Sequence, residues 1–182
     1  RIKKIQDYDI KYNLLFRYVA FTLRHSYSSI LHVGKENIPT DGAIIFAPNH
    51  TNTLMDALVA LTIDRSPKVF VARADIFRNR KLARILTFLK MMPIMRQRDG
   101  FNAVKKNQEI IDKSVDVLKS RIPFCIFPEG THLAKYSSLP LSKGIFRIAM
   151  QAHEQMPQTP LYIVPVGIRY GNLFRFRSTV RL

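Results

Sequence analysis

Two hydrophobic periods alternate along the chain, and the alternation sets the expected fold. From about Tyr8 to Arg24 there is no Pro or Gly, and Ile10, Leu14, Tyr18 and Phe21 fall on one stripe at helical spacing, widened by Leu15, Val19 and Leu23. That period predicts an amphipathic helix. Lys11, Arg17 and Arg24 interrupt the stripe. Two readings stay open: a helix packed on a core, or one lying in the plane of a membrane with its aromatics toward lipid. Beyond it the period changes. Ser29 to Val33 suggests a strand, Gly34 to Pro39 a turn, and Ala43-Ile44-Ile45-Phe46-Ala47 a continuously apolar run, as in buried strands, closed by Pro48.

The rest of the chain repeats the exchange. Helical patterns cover Met55 to Ile63, Arg80 to Met92, Asn102 to Arg121 and Ser142 to Glu154; strand patterns cover Lys68 to Ala72, Phe124 to Phe127 and Leu161 to Ile168. Strands alternating with helices predict an α/β fold, with a central mixed, mainly parallel sheet flanked by helices and preceded by the N-terminal amphipathic helix. The expected division is residues 1–26 for that helix and 27–182 for one domain. Arg1 in place of Met, and a strand-like close from Ser178 to Leu182, suggest a piece of a longer protein, truncated at its C-terminus.

Charge narrows the choice of partners. The 182 residues carry a formal net charge of +16, from 29 basic and 13 acidic side chains, which points to phosphate groups, anionic lipid or nucleic acid. Between Arg73 and Lys106 ten basic residues are set against only Asp75 and Asp99, so half the excess sits in a stretch that also keeps an apolar stripe. That mixture suits an anionic membrane surface, where each nearby Lys or Arg contributes about 1 kcal/mol. It does not suit nucleic acid, because the basic residues are interleaved with Leu and Met more than with stacking aromatics. The single cysteine, Cys125, lies in an apolar run and reads as a core residue. It allows neither an internal disulfide nor a cysteine-based metal site, which fits a reducing compartment. No stretch approaches the ~18 apolar residues of a membrane-spanning helix.

Four segments carry candidate chemistry. Pro48-Asn49-His50-Thr51-Asn52-Thr53-Leu54-Met55-Asp56 lies between a buried strand and a helix, where side chains at the strand's carboxyl end face a crevice. Imidazole, with an ordinary pKa of about 6.5, can take the proton of an attacking hydroxyl, and a carboxylate on its other nitrogen fixes the tautomer. Spacing argues both ways. Six positions of regular helix rotate Asp56 about 240° from His50, so the two meet only if Thr51-Asn52-Thr53 is non-helical and folds back. Otherwise His50 is satisfied by backbone and Asp56 is a helix-start charge. Phe127-Pro128-Glu129-Gly130-Thr131 runs off a buried strand, with Gly130 permitting close backbone approach and Glu129 and Thr131 offering polar groups. Arg96 and Arg98, beside Gly100, suit a phosphate through planar charge-assisted donors. Lys143, just before a helix, could meet an anion.

Taken in order, these segments resemble the glycerolipid acyltransferase family, the lysophosphatidate and glycerol-3-phosphate acyltransferases. Asn-His with a downstream Asp is followed by an Arg block, then Phe-Pro-Glu-Gly-Thr, then the proline-bearing strand Tyr162-Ile163-Val164-Pro165-Val166. The matched blocks span His50 to Val166. The resemblance implies His50 as general base and Asp56 as its partner, Arg96 or Arg98 on the acceptor's phosphate, Glu129, Gly130 and Thr131 along the acceptor pocket, and an acyltransferase domain at 27–182. It implies transfer of a fatty acyl group from acyl-CoA or acyl carrier protein to a hydroxyl of a glycerol-phosphate precursor, first of all 1-acyl-glycerol-3-phosphate. No metal, no further cofactor and no covalent enzyme intermediate are required. Glycerol 3-phosphate or another lysophospholipid is the alternative acceptor, and a non-catalytic binder of anionic membrane lipid the alternative of another class. The expected setting is the cytoplasmic face of a membrane, peripheral or monotopic. Two departures stand out. Five residues separate His50 from Asp56 where the family usually has four, and His132 follows Thr131 where the family usually has Arg. An apolar acyl channel is expected among residues such as Leu82, Leu86, Leu89, Met91 and Met92.

Overall fold

Asp9 starts the first helix, α1 (Ile10–Ser26), by accepting the backbone N–H groups of Lys11 (2.9 Å) and Tyr12 (3.1 Å), donors that a first turn leaves unpaired. The structure, a computed structural model, describes residues 4–64, 66–95, 103–131, 139–173 and 175–182, with backbone alone at 103–106. Helix α1 buries Tyr12 and Leu23 against the body, with Val19 beside Leu23. Its other edge faces out: Ile10, Leu14, Tyr18 and Phe21 are each at least 60% exposed.

The chain continues through β1 (Ser29–Leu31), β2 (Ala43–Pro48), α2 (Thr53–Ala60), β3 (Val69–Arg73), α3 (Arg80–Phe88), β4 (Met91–Ile94), α4 (Ala103–Lys119), β5 (Phe124–Cys125), α5 (Gly144–Gln155), β6 (Leu161–Val166), β7 (Arg169–Tyr170) and β8 (Thr179–Arg181). Five strands form the central sheet in the order β4-β3-β5-β2-β6, parallel in every ladder. The mainly parallel centre is therefore as expected. Antiparallel pairing is confined to a second sheet, β1-β8-β7, where β7 meets β8.

Burial follows position in the sheet. β2 lies between β5 and β6, and its Ile45 and Phe46 are fully buried, one to each face. On one face Ile45, Val69 and Phe124 pack with Val115 and Leu118 of α4 and Ile145 and Ile148 of α5. On the other, Phe46, Phe70 and Cys125 pack with Ala60 and Ile63. Both edge strands hold a proline, Pro93 in β4 and Pro165 in β6, at positions where a missing N–H is best tolerated.

One element departs from expectation. The helix expected to run to Met92 ends at Phe88, and the chain re-enters the sheet as β4. Lys90 makes the break. It adopts φ +58°, in the left-handed region, and its N–H donates to the Thr87 carbonyl (3.0 Å). Its buried ammonium donates to the carbonyls of Ile5 (2.6 Å) and Asp7 (2.9 Å), which ties the segment before α1 to the sheet edge.

Candidate active site

Because β2 and β5 are parallel neighbours, with Ile45 opposite Phe124 and Phe46 opposite Cys125, their carboxyl ends emerge side by side. The Ile126 N–H extends the ladder by donating to the Phe46 carbonyl (3.0 Å). His50 leaves the end of β2 and Phe127 the end of β5, and their rings stack with centroids 4.3 Å apart at 25°. This is the edge of a parallel sheet where ligands ordinarily bind.

His50 Nδ1 lies 2.9 Å from Asp56 Oδ2. The bend required for that contact is present. Asn52 has φ −134° and Thr53, the first residue of α2, φ +43°, neither of them a right-handed helical angle, so the chain folds back where α2 begins and carries Asp56 inward. Asp56 is completely buried on the first turn of α2. Its Oδ2 also accepts the Asn52 N–H (2.6 Å), and its Oδ1 accepts the Tyr170 hydroxyl (2.7 Å). A carboxylate fed by these donors acts as an acceptor toward His50. Nδ1 therefore donates to the carboxylate, and Nε2 is the acceptor nitrogen of the ring. The His50 side chain keeps 18% of its surface exposed, enough for an incoming group to reach.

The Acyltransferase family model matches residues 29–169 of this chain. The chain belongs to the Acyltransferase family. Among solved structures, the 1-acyl-sn-glycerophosphate (LPA) acyltransferase PlsC from Thermotoga maritima matches with a TM-score of 0.57 at 20% identity, over 94% of this chain. The likeness establishes a common fold, and this chain spans 64% of the length of the PlsC chain. No curated protein matches the sequence at a significant level.

Within this acyltransferase domain the remaining candidates divide. Glu129 is buried at the end of β5, Gly130 turns the chain at φ +65°, and Thr131 is exposed. The Ser142 N–H donates to the Pro128 carbonyl (2.7 Å), which brings the start of α5, and the exposed Lys143, to the same end of the sheet. Arg96, Arg98 and His132 lie outside the described residues. Among the described residues no group of three or more His, Cys, Asp or Glu side chains is placed to hold a metal. Cys125 is wholly buried, and burial pushes its thiol up to about 12, so it serves as core.

Three contributors escaped the sequence reading. Asn49 clamps the β6–β7 connection, its Oδ1 accepting the Ile168 N–H (2.6 Å) and its Nδ2 donating to the Ile168 carbonyl (3.0 Å). The conspicuous Asn-His pair was a signal for it. Phe127, the first residue of the Phe-Pro-Glu-Gly-Thr block, supplies the wall against the His50 ring. Tyr170 is buried in β7, and its phenol is held well above the ordinary range by burial first and then by the charge of Asp56.

Proposed function

We propose that this domain transfers a fatty acyl group from a thioester donor to a hydroxyl of a glycerol-phosphate lipid precursor, with 1-acyl-glycerol-3-phosphate as the leading acceptor. The observation that carries the reading is the His50–Asp56 contact at 2.9 Å, at the carboxyl edge of the parallel sheet. Nε2 takes the hydroxyl proton as the oxygen attacks the thioester carbonyl, and Asp56 stabilises the imidazolium that results. Collapse of the tetrahedral adduct breaks the carbon–sulfur bond, and the imidazolium returns its proton to the departing thiolate. The products are the ester and a free thiol, with no group left on the enzyme.

The acceptor's phosphate is assigned to Arg96 and Arg98, with Lys143 as a further cation, and the glycerol backbone to Glu129, Gly130 and Thr131. For the acyl chain, a cavity of about 270 Å³ between α1 and α2 is lined by Phe16, Val19, Ala57, Leu58, Leu89 and Met91 and offers almost no polar surface. Two of the five residues expected along a channel, Leu89 and Met91, are among them. The domain works at an anionic membrane surface, on the cytoplasmic side, where the acyl donor is found. The exposed stripe of α1 and the exposed, basic α3 support that placement. Tyr12 of α1 meets Phe88 at the end of α3 (6.4 Å, edge to face), so the two helices touch through a buried ring. No helix among the described residues is long and apolar enough to cross a membrane.

The test is acyl transfer from radiolabelled acyl-CoA to lysophosphatidate, with glycerol 3-phosphate and other lysophospholipids as competitors. His50→Ala is expected to lower kcat ~10²-fold or more, and Asp56→Ala by a smaller but still large factor. Equal turnover by wild type and both variants would rule out the general-base mechanism.

A further inference from the structure

Tyr170 enters the site from outside the family match, which ends at residue 169. It belongs to the small sheet, where β7 pairs with β8 in the register Tyr170 to Val180, and β8 in turn pairs with β1. From there its hydroxyl donates to Asp56 Oδ1 (2.7 Å), while His50 and the Asn52 N–H share Oδ2. Both carboxylate oxygens are thus engaged from different sides, and the carboxylate plane cannot rotate away from the imidazole. A neutral donor on Oδ1 also draws charge from the carboxylate, which weakens its attraction for a proton on the neighbouring ring.

We infer that Tyr170 is a positioning residue that orients Asp56 and, through it, sets how readily His50 takes up a proton. The kinetic part of the inference rests on the general-base reading above; the titration part does not. Among the described residues, the groups facing Asp56 are His50, the Asn52 N–H and Tyr170. Tyr27, at the end of α1, faces Tyr170 with ring centroids 6.1 Å apart. Burial first, and then the charge of Asp56, raise both phenols above their ordinary value. Both stay protonated while imidazole titrates, so the donor on Oδ1 is constant. Tyr170 is buried and removed from solvent, so it acts on turnover and not on substrate affinity.

Tyr170→Phe keeps the ring and removes only the hydroxyl. By NMR of the imidazole, the titration midpoint of His50 is expected to move to higher pH by roughly half a unit. In the transferase assay kcat is expected to fall about 10-fold, with KM for donor and acceptor unchanged. Site-specific 3-fluorotyrosine at position 170, a stronger hydrogen-bond donor of nearly the same shape, is expected to move the midpoint the other way, and it decides the matter if Tyr170→Phe does not fold. A midpoint unmoved by either change overturns the inference, even if activity falls, because packing alone would then explain the loss. A midpoint that moves as expected, in a protein that transfers no acyl group, upholds Tyr170 and rejects the catalytic reading instead.

Discussion

The turn that joins His50 to Asp56 places a β-branched residue where backbone sterics favour glycine or asparagine. Thr53 sits at φ +43° with its side chain exposed, a conformation that costs an L-residue about 1–2 kcal/mol. Asparagine tolerates that region, so Thr53→Asn should raise stability by about 1 kcal/mol, or about 2–4 °C in Tm for a chain of this size, and leave transferase activity intact. A lower Tm in thermal melts would show that the Thr53 side chain contributes something the backbone angle does not reveal. This turn also marks how far the site could be read in advance. His50 and Asp56 were recognisable as a candidate base and partner by residue type, but their meeting depends on dihedral angles at Asn52 and Thr53 that no hydrophobic pattern encodes. Tyr170, more than a hundred positions away, carried no local mark, because a buried aromatic near the end of a strand reads as core.

Among the elements, α1 raises the sharpest expectation. Its outward edge of Ile10, Leu14, Tyr18 and Phe21 touches no core, whereas Tyr12 and Leu23 do. Leu14→Asp or Phe21→Asp should therefore leave the melting temperature unchanged. Each side chain would contribute about 1.5–3 kcal/mol on entering lipid, so partitioning onto phosphatidylcholine–phosphatidylglycerol vesicles should weaken at least ~10-fold in either variant. Binding by wild type should also fall as salt rises, since the cations of α3 attract the surface over a Debye length of about 10 Å at 0.1 M. Sedimentation with vesicles checks both points, and salt-insensitive binding to pure phosphatidylcholine would contradict them. The helix and its stripe were legible from spacing alone. Which edge faced the core was not, because both edges are apolar enough to pack. β4 was hidden for a related reason: Met91 and Met92 continue an apolar pattern that suits helix or strand, and Lys90 breaks it through a backbone angle and a buried ammonium rather than through Gly or Pro.

Across the whole molecule, the candidate site and a buried ion pair occupy opposite ends of the central sheet. His50 lies beyond the carboxyl end of β2, whereas Lys68 precedes the amino end of the parallel strand β3. Lys68 is completely buried, and its ammonium donates to Asp64 Oδ1 (2.6 Å) and the Ser66 carbonyl (3.1 Å), above the ring of Phe46. The two partners do not benefit alike. Burial lowers the Lys68 pKa, against the pull of Asp64. For Asp64 burial acts upward, but the charge of Lys68 and hydrogen bonds from Lys68 and Ser66 outweigh it and hold the carboxyl below its ordinary 3.8. A pair of this kind adds little net stability, yet removing one member leaves the other charge buried alone, at a cost of about 3–5 kcal/mol. Asp64→Asn, which strands the lysine, should thus destabilise more than Lys68→Met, which removes the wholly buried charge and leaves a carboxylate whose side chain is 24% exposed and still bonded to Ser66. A carboxylate whose folded pKa is depressed contributes stability that is fully present above 3.8 and is lost as pH falls through the lower folded value. Denaturant unfolding across the acid range should show that limb in wild type and lose this part of it in Asp64→Asn. In both variants kcat/KM per folded molecule should stay near wild type, because the sheet's length separates the pair from His50. A matching loss of turnover in the folded fraction would mean that the two ends of the sheet are coupled.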